Sequence, residues 1–195
     1  MVEHLTKEFW EELYESGEIR WDIGIVSPPL KAYFDQLTNK DISIFIPGCG
    51  NSYEAECLAK NGFKDVTVID LAIEPVERLR SALQDFPSVK IIQGNFFDHQ
   101  GKYDLIIEQT FFCAIDPSLR KQYVEKMHEL LNDGGMIAGV MFKTEFEKEG
   151  PPFGGTPEEY KQLFSNRFTI KTLADCYNSH PKRDGNEVFV EFVKK

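Results

Sequence analysis

The chain has 195 residues, 42% hydrophobic and 13% aromatic, which is enough for one hydrophobic core and too short for a two-domain enzyme. Its net charge of −10 opposes binding to phosphate backbones and anionic lipids, which argues against a nucleic acid or a membrane as partner. Apolar runs such as Met136 to Phe142 fall short of the roughly 20 residues that span a bilayer, and no leader pattern is visible, so we expect a cytoplasmic protein with a monomer as its simplest state.

Two predicted helices precede the first predicted strand, one around Thr6 to Ser16 and one after Pro28. From residue 41 onward, short apolar or β-branched runs alternate with longer segments of helical spacing, which is typical of a parallel sheet with crossover helices. The predicted strands are Ile42 to Ile46, Val66 to Asp70, Lys90 to Gln93, Tyr103 to Glu108 and Met136 to Phe142, and the helices between them are Tyr53 to Asn61, Ile73 to Asp85 and Pro117 to Leu131.

The pattern changes in the C-terminal part of the chain. A helix over Pro157 to Phe164 precedes two strand-like segments, Phe168 to Cys176 and Glu187 to Val193, which a polar loop joins into a β-hairpin. We therefore predict an α/β fold in which five parallel strands are closed by an antiparallel hairpin to give seven strands. The chain is predicted to be one domain, with residues 41–195 as its core and residues 1–40 as a helical lid over the crevice at the carboxyl ends of the strands.

A glycine turn follows the first predicted strand, in the segment Pro47-Gly48-Cys49-Gly50. Glycines let the backbone approach a ligand, and the next helix begins with unpaired N–H groups. The second strand ends in Asp70, 20 residues after Gly50, where a carboxylate can accept both hydroxyls of a ribose. A tight turn without a ligand, and an N-cap role for Asp70, remain the structural alternatives.

The identity of the ribose-bearing ligand depends on a missing glycine. The dinucleotide fingerprint requires a third glycine where this chain has Tyr53, so a nicotinamide dinucleotide is disfavoured. S-adenosylmethionine has a ribose but no phosphate, and it needs only the turn and the acid. The sequence therefore favours S-adenosylmethionine.

Two further strand ends carry polar or aromatic side chains. The segment Gln93 to Asp98 supplies an amide and aromatic faces that suit an adenine ring, although Phe96 and Phe97 fit equally well as core aromatics. Glu108 and Gln109 stand at the carboxyl end of the fourth strand and are expected to face the same crevice.

The cysteines and histidines are not expected to carry chemistry. The four cysteines show no CxxC spacing, which indicates reduced thiols and neither a disulfide framework nor a zinc site. Cys113 has Phe112 and Ala114 as neighbours, so a buried structural thiol is favoured over a nucleophile. The histidines lie in polar stretches and are expected on the surface: His4, His99, His128 and His180.

Several segments together resemble one known family over nearly the whole chain. They are Trp10-Glu11-Glu12-Leu13-Tyr14, Trp21-Asp22-Ile23-Gly24, Ile46-Pro47-Gly48-Cys49-Gly50, Asn95-Phe96-Phe97, Phe111-Phe112-Cys113-Ala114-Ile115-Asp116-Pro117 and Gly150-Pro151-Pro152-Phe153. The chain resembles the thiopurine S-methyltransferase family, and most closely its branch of plant and bacterial halide and thiol methyltransferases. This resemblance implies a Rossmann-like class I methyltransferase fold, S-adenosyl-L-methionine as methyl donor and S-adenosyl-L-homocysteine as product.

The resemblance also implies which residues contact the methyl donor. Carried over by position, they are Trp10, Tyr14, Trp21, Gly48, Asp70, Asn95, Phe96 and Gln109. Three of them depart from the usual pattern: Tyr14 stands where tryptophan is common, Asn95 where aspartate is common, and Gln109 where tyrosine or arginine is common. An asparagine can still accept a hydrogen bond from the adenine amino group through its carbonyl oxygen. The position of Gln109 can border the acceptor site in the family, so its departure leaves the identity of the acceptor open.

The expected reaction is methyl transfer to a small soft nucleophile such as a thiol, a sulfide or a halide. Charges cancel as a sulfonium meets an anionic acceptor, so we expect neither a catalytic residue nor a metal ion. Trp10 and Trp21 would hold the sulfonium by cation–π contact, or else serve only to pack the lid. Two other functions stay open at this point: a protein that binds the donor without turnover, and an NAD-dependent dehydrogenase on a related sheet.

Overall fold

A twisted sheet of seven strands forms the centre of the computed structural model, which describes residues 5–146 and 150–195. The helices are α1 (Lys7–Glu15), α2 (Pro28–Phe34), α3 (Tyr53–Lys60), α4 (Ile73–Ala82), α5 (Arg120–Leu130) and α6 (Pro157–Phe164). The strands are β1 (Ser43–Pro47), β2 (Asp65–Asp70), β3 (Val89–Gln93), β4 (Tyr103–Gln109), β5 (Leu131–Phe142), β6 (Phe168–Asp175) and β7 (Glu187–Lys194). Within the described ranges, no helix is long and apolar enough to cross a membrane.

The strands lie in the order β3-β2-β1-β4-β5-β7-β6. Strands β1 to β5 pair in parallel, β7 pairs antiparallel with β5, and β6 pairs antiparallel with β7. This arrangement confirms the predicted fold of five parallel strands and a C-terminal hairpin. Since the order reverses between β1 and β4, a crevice opens at the carboxyl ends of these two strands.

The core occupies both faces of the sheet. Successive side chains of a strand point to opposite faces, so Ile44 and Ile46 of β1 pack into one apolar cluster and Phe45 into the other. Leu105 and Ile107 of β4 join the cluster of Ile44, as the same alternation requires. Burial on both faces explains why these strands appear in the sequence as continuous apolar runs.

The two N-terminal helices differ in their environment. Leu30 and Phe34 of α2 have no exposed surface and belong to the core cluster that contains Ile44. In α1, Tyr14 is the one residue classed as buried. Residues 1–40, predicted to form one lid, therefore do not act as one unit. Helix α2 is part of the core, and α1 with the following loop lies over the crevice.

Strand β5 begins earlier than the sequence predicts, at Leu131 in place of Met136. The polar run between these two residues indicates a turn, and Gly134 does adopt a φ of +76°. Tyr103 of β4 nevertheless pairs with Leu131 before the ladder resumes where Leu105 pairs with Met136. The residues of this turn, between Leu131 and Met136, are therefore part of β5 and lie where its pairing with β4 is irregular.

Candidate functional site

The loop after β1 turns sharply at two glycines. Gly48 and Gly50 have φ angles of +56° and +52°, in the left-handed region that residues with a Cβ rarely adopt. A Cβ on Gly48 would lie 2.0 Å from the Phe111 ring, and one on Gly50 would lie 3.0 Å from the Tyr14 hydroxyl. Both the backbone conformation and the close neighbours therefore require glycine here.

The carboxylate of Asp70 ends β2 beneath this turn. Its Oδ2 accepts a hydrogen bond from Gly50 N at 2.8 Å, and its Oδ1 accepts one from Ala72 N at 3.0 Å. Burial raises the pKa of Asp70, while these two backbone N–H groups act in the opposite direction. A carboxylate has about four acceptor positions, so Asp70 keeps capacity for a ligand besides its backbone N–H partners.

The end of β3 leads into a single 3₁₀ turn, Phe96–Asp98. Asn95 caps this turn, with its Oδ1 accepting from Phe97 N at 3.0 Å, and its side chain is exposed. Phe96 is 4% exposed and belongs to the core cluster, where its ring packs edge-on against Phe111 at 5.1 Å between centroids. Phe96 is thus both a core aromatic and part of the crevice wall.

Glu108 and Gln109, at the end of β4, were expected to face the crevice, and Glu108 points into the core. It is 1% exposed, and its Oε1 accepts from Phe111 N at 2.8 Å and from Phe112 N at 2.9 Å. Its Oε2 accepts a hydrogen bond from the Tyr123 hydroxyl. Glu108 therefore holds the backbone of the loop that follows β4 from the core side.

Aromatic rings of the N-terminal segment cover the crevice. Trp21 packs edge-on against both Trp10 and Tyr14, at 5.7 and 5.6 Å between ring centroids. Tyr14 is 7% exposed, and burial together with the nearby charge of Asp70 raises the pKa of its hydroxyl. Helix α1 and the loop after it therefore meet directly above the glycine turn and Asp70.

These parts enclose one cavity of about 1180 Å³. Its lining includes seven of the eight residues predicted to contact the methyl donor: Trp10, Tyr14, Trp21, Gly48, Asp70, Asn95 and Phe96. Among the described residues, Gln109 is the predicted one that lies outside this lining, and Thr110 and Phe111 take its place there. This volume exceeds the roughly 300 to 1,000 Å³ that is usual for ligand pockets, which leaves room for a methyl donor and an acceptor together.

Comparison with known proteins shows the family to which the chain belongs. The sequence pattern of one family, "Thiopurine S-methyltransferase (TPMT)", matches residues 5–194. The chain belongs to the thiopurine S-methyltransferase family. It is therefore an S-adenosylmethionine-dependent methyltransferase, as the resemblance implied.

Individual relatives carry several names. The chain is 29% identical over 159 residues to a "Probable thiol methyltransferase 2" of Arabidopsis thaliana, covering 79% of this chain and 70% of that one. It is 28% identical over 197 residues to a "Thiopurine S-methyltransferase" of Vibrio campbellii, covering 90% of both chains. A solved structure of Burkholderia thailandensis 1,6-didemethyltoxoflavin-N1-methyltransferase has the same fold, with a TM-score of 0.80, 16% identity and coverage of 97% of this chain and 87% of that one.

The residues present fit a bound S-adenosylmethionine. Asp70, Gly48, Trp10 and Trp21 all line the cavity, so a carboxylate, a glycine backbone and two aromatic rings are available to a ligand. A carboxylate suits ribose hydroxyls, and aromatic faces suit a sulfonium cation. No dinucleotide glycine is present at Tyr53, which begins α3.

Most cavity residues lie outside the sequence prediction of the site, among them Phe111, Phe142 and Arg183. Phe111 lies on Gly48, and its place in the motif with Phe112 was the one available signal. Arg183 of the hairpin turn lines the cavity although it is 162 residues from Trp21, whose carbonyl it binds. Phe142 lines the cavity at the end of β5. No local pattern marks Arg183, because only tertiary folding joins these distant segments.

The cysteines agree with the prediction of free thiols, since all four are unbridged. Cys113 lines the cavity, and its Sγ donates to Thr110 O at 3.1 Å. Burial raises the pKa of the Cys113 thiol, so it remains protonated and unreactive near neutral pH. His99 is half-buried, where the prediction placed it on the surface, because its ring stacks on Phe45 at 4.7 Å between centroids. His4 lies outside the described residues.

Proposed function

We propose that this methyltransferase acts on a small soft nucleophile, namely a thiol, a sulfide or a halide. The observation that carries the proposal is the character of the cavity lining. This lining is largely apolar, with Phe142, Phe153 and Ile115 among its residues, and its described part contains no histidine. Relatives named thiol, thiocyanate and thiopurine methyltransferases support the same acceptor class.

The methyl donor is proposed to bind with its ribose on Asp70 and its adenine against Asn95 and Phe96. Asp70 would accept the ribose hydroxyls through its remaining lone pairs, and the carbonyl oxygen of Asn95 would accept from the adenine amino group. Gly48 gives the donor's chain room along the backbone. At the end of β4 we propose Phe111 as the contact in place of Gln109, because its ring lies on Gly48.

Trp10, Tyr14 and Trp21 are proposed to surround the sulfonium. When bound, S-adenosylmethionine supplies an electrophilic methyl group on a positively charged sulfur. The two indole faces stabilise that cation, and the N-terminal segment excludes water from it. Excluding water also favours an anionic acceptor, since the opposite charges cancel on the way to the transition state.

No general base is needed for such acceptors. A thiol with a pKa of about 8.5 is a few per cent ionised at neutral pH, and halides and sulfide carry their own charge. The task of the protein is then alignment, which the cavity performs by holding donor and acceptor in one line. This view agrees with the protonated Cys113 and the buried Glu108, neither of which is required for proton transfer.

The test is a screen for release of S-adenosylhomocysteine. The purified chain and S-adenosylmethionine are incubated with sulfide, a small organic thiol, a thiopurine, iodide, or a selenium or tellurium anion, with a sample lacking acceptor as control. We expect release that saturates with at least one sulfur or halide acceptor. Donor binding by calorimetry without release for any acceptor would instead indicate a binding protein, and an NADH fluorescence titration checks the dehydrogenase alternative.

A further inference from the structure

The loop that carries Trp21, residues 19–24, is attached to the body of the protein at two separate points. At the first, Asp22 accepts hydrogen bonds from Asn51 Nδ2 and from the Tyr53 hydroxyl, the latter at 3.2 Å. Asn51 directly follows the glycine turn, and Tyr53 begins α3. The carboxylate of Asp22 therefore ties this loop to the segment that joins β1 to α3.

The second attachment is a buried arginine of the C-terminal hairpin. Arg183 is 6% exposed, and its Nη2 donates to the carbonyl oxygen of Trp21. Its Nη1 lies 3.3 Å from Glu187 Oε1, and its guanidinium carbon is 5.5 Å from the centroid of the Phe142 ring. Because Glu187 and Phe142 belong to paired strands, they hold the guanidinium, and the guanidinium holds the backbone of Trp21.

Helix α1 is attached less firmly. Its main polar contact with the body is between Glu11 Oε1 and Ile73 N, at 3.3 Å on the surface. The helix ends at Glu15, Ser16 is its C-cap, and the chain reverses at Gly17, whose φ is +73°. A glycine next to a helix end is a suitable hinge, because it tolerates large changes of backbone angle.

We propose that Arg183 is a positioning residue for methyl transfer. It keeps the Trp21 loop as a fixed wall of the site, so that the indole lies in place before the donor arrives and α1 alone moves to admit it. This proposal rests on the proposed function for its kinetic consequence, but the fixed loop itself is measurable without any acceptor.

The first measurement uses Trp21 as a fluorophore in the chain without ligand. The sequence contains two tryptophans, so Trp10→Phe leaves Trp21 as the single emitter. In that background, Arg183→Met should raise acrylamide quenching of Trp21 about twofold, because the loop is released, and Arg183→Lys should raise it less. The control is Arg80→Met, which removes an exposed arginine paired with Glu77 on α4 and should leave quenching unchanged.

The Arg183→Met change leaves Glu187 buried with an uncompensated charge, which can prevent folding. The double variant Arg183→Met/Glu187→Gln removes both charges and is measured alongside it. If a folded variant without the guanidinium shows the same Trp21 quenching as its Trp10→Phe parent, the proposal is overturned.

Hydrogen exchange gives an independent result for the unaltered chain. Residues 19–24 should be protected with and without S-adenosylhomocysteine, while residues 5–18 should gain protection when it binds. Gain of protection by residues 5–24 as one unit would contradict a fixed loop. This result would leave the methyltransferase proposal intact, since it concerns only which part of the cover moves.

Steady-state kinetics then test the positioning role in the chain with both tryptophans. Loss of the guanidinium should lower kcat about tenfold while the KM for S-adenosylmethionine changes much less, because Asp70 still binds the donor but the methyl is no longer aimed. Partial recovery in Arg183→Lys separates positioning from general damage. A KM increase with unchanged kcat would assign Arg183 to donor binding and overturn the proposal.

Discussion

The carboxylate of Asp70 joins the glycine turn to the start of α4, since it accepts from Gly50 N on one side and Ala72 N on the other. The sequence left a choice between an N-cap and a ribose acceptor for this residue. The structure makes Ala72 the N-cap of α4, so Asp70 is not the N-cap residue, although it accepts from the backbone N–H of Ala72. Asp70 lines the cavity, and its role as ribose acceptor stays a proposal.

Replacement of Asp70 by alanine should weaken donor binding by about 2 to 3 kcal/mol, because two ribose hydroxyls lose a charged acceptor. Calorimetric titration with S-adenosylhomocysteine measures this difference. The matched control is Asp65→Ala at the exposed start of the same strand, which should bind as the parent does. Equal affinity for Asp70→Ala and the parent would remove Asp70 from the site.

Glu108 is a buried carboxyl, and burial raises its pKa to about 7. Its three hydrogen bonds act in the opposite direction and lower the pKa. A raised pKa means that folding favours the protonated form, so this group stabilises the fold below its unfolded pKa of about 4.5 and loses that contribution as the pH rises toward 7. The unfolding free energy of the parent relative to Glu108→Gln should therefore fall by about 3 kcal/mol between pH 4.5 and pH 8.

Denaturant unfolding at a series of pH values checks this prediction. The exposed Glu77→Gln on α4 is the control, and its stability should follow the parent at every pH. Parallel curves for Glu108→Gln and the parent would show that folding does not raise the pKa of Glu108, because its three hydrogen bonds balance the effect of burial.

At the level of elements, the two N-terminal helices have different roles. Leu30 and Phe34 place α2 in the core, whereas α1 covers the cavity and buries Tyr14 alone. Periodicity could not separate them, because both are short and each has apolar residues at helical spacing. The role of each helix depends on the surface against which it packs, and only the tertiary structure shows that surface.

A chain that begins at Ile25 should therefore remain folded, since it keeps α2 and the whole sheet. We expect its thermal midpoint to fall by less than about 10 °C, and its turnover by at least about 100-fold because water enters and the methyl is not aimed. Calorimetric melting and S-adenosylhomocysteine release measure the two effects. Full activity in this shortened chain would reduce Trp10 and Trp21 to ordinary packing residues.

For the whole molecule, the absence of a base in the proposed mechanism predicts how the rate varies with pH. The rate with a thiol should rise along the ionisation of that thiol, so two thiols of different pKa should give profiles displaced by the same difference. A break at one shared pH would mean that a group of the enzyme titrates. Repeating the measurement with Glu108→Gln identifies that group, because a shared break caused by Glu108 would disappear.

The sequence by itself determined the seven-stranded fold, the glycine turn and the acid that follows it. These features depend on local patterns: apolar runs of strand length, helical spacing, and a turn that only glycine permits at Gly48 and Gly50. Family resemblance added the aromatic residues of α1 and the loop after it. Seven of the eight predicted donor contacts consequently lie around one cavity.

Tertiary structure alone decided the remaining features. Arg183 meets the Trp21 carbonyl across 162 residues, and Phe111 takes the cavity position expected for Gln109. Glu108 turns into the core because its acceptors meet the N–H groups of the following loop. Such contacts join segments that are far apart in the sequence and share no local pattern. They form because buried polar and charged groups need hydrogen-bond partners, and only the folded chain brings those partners together.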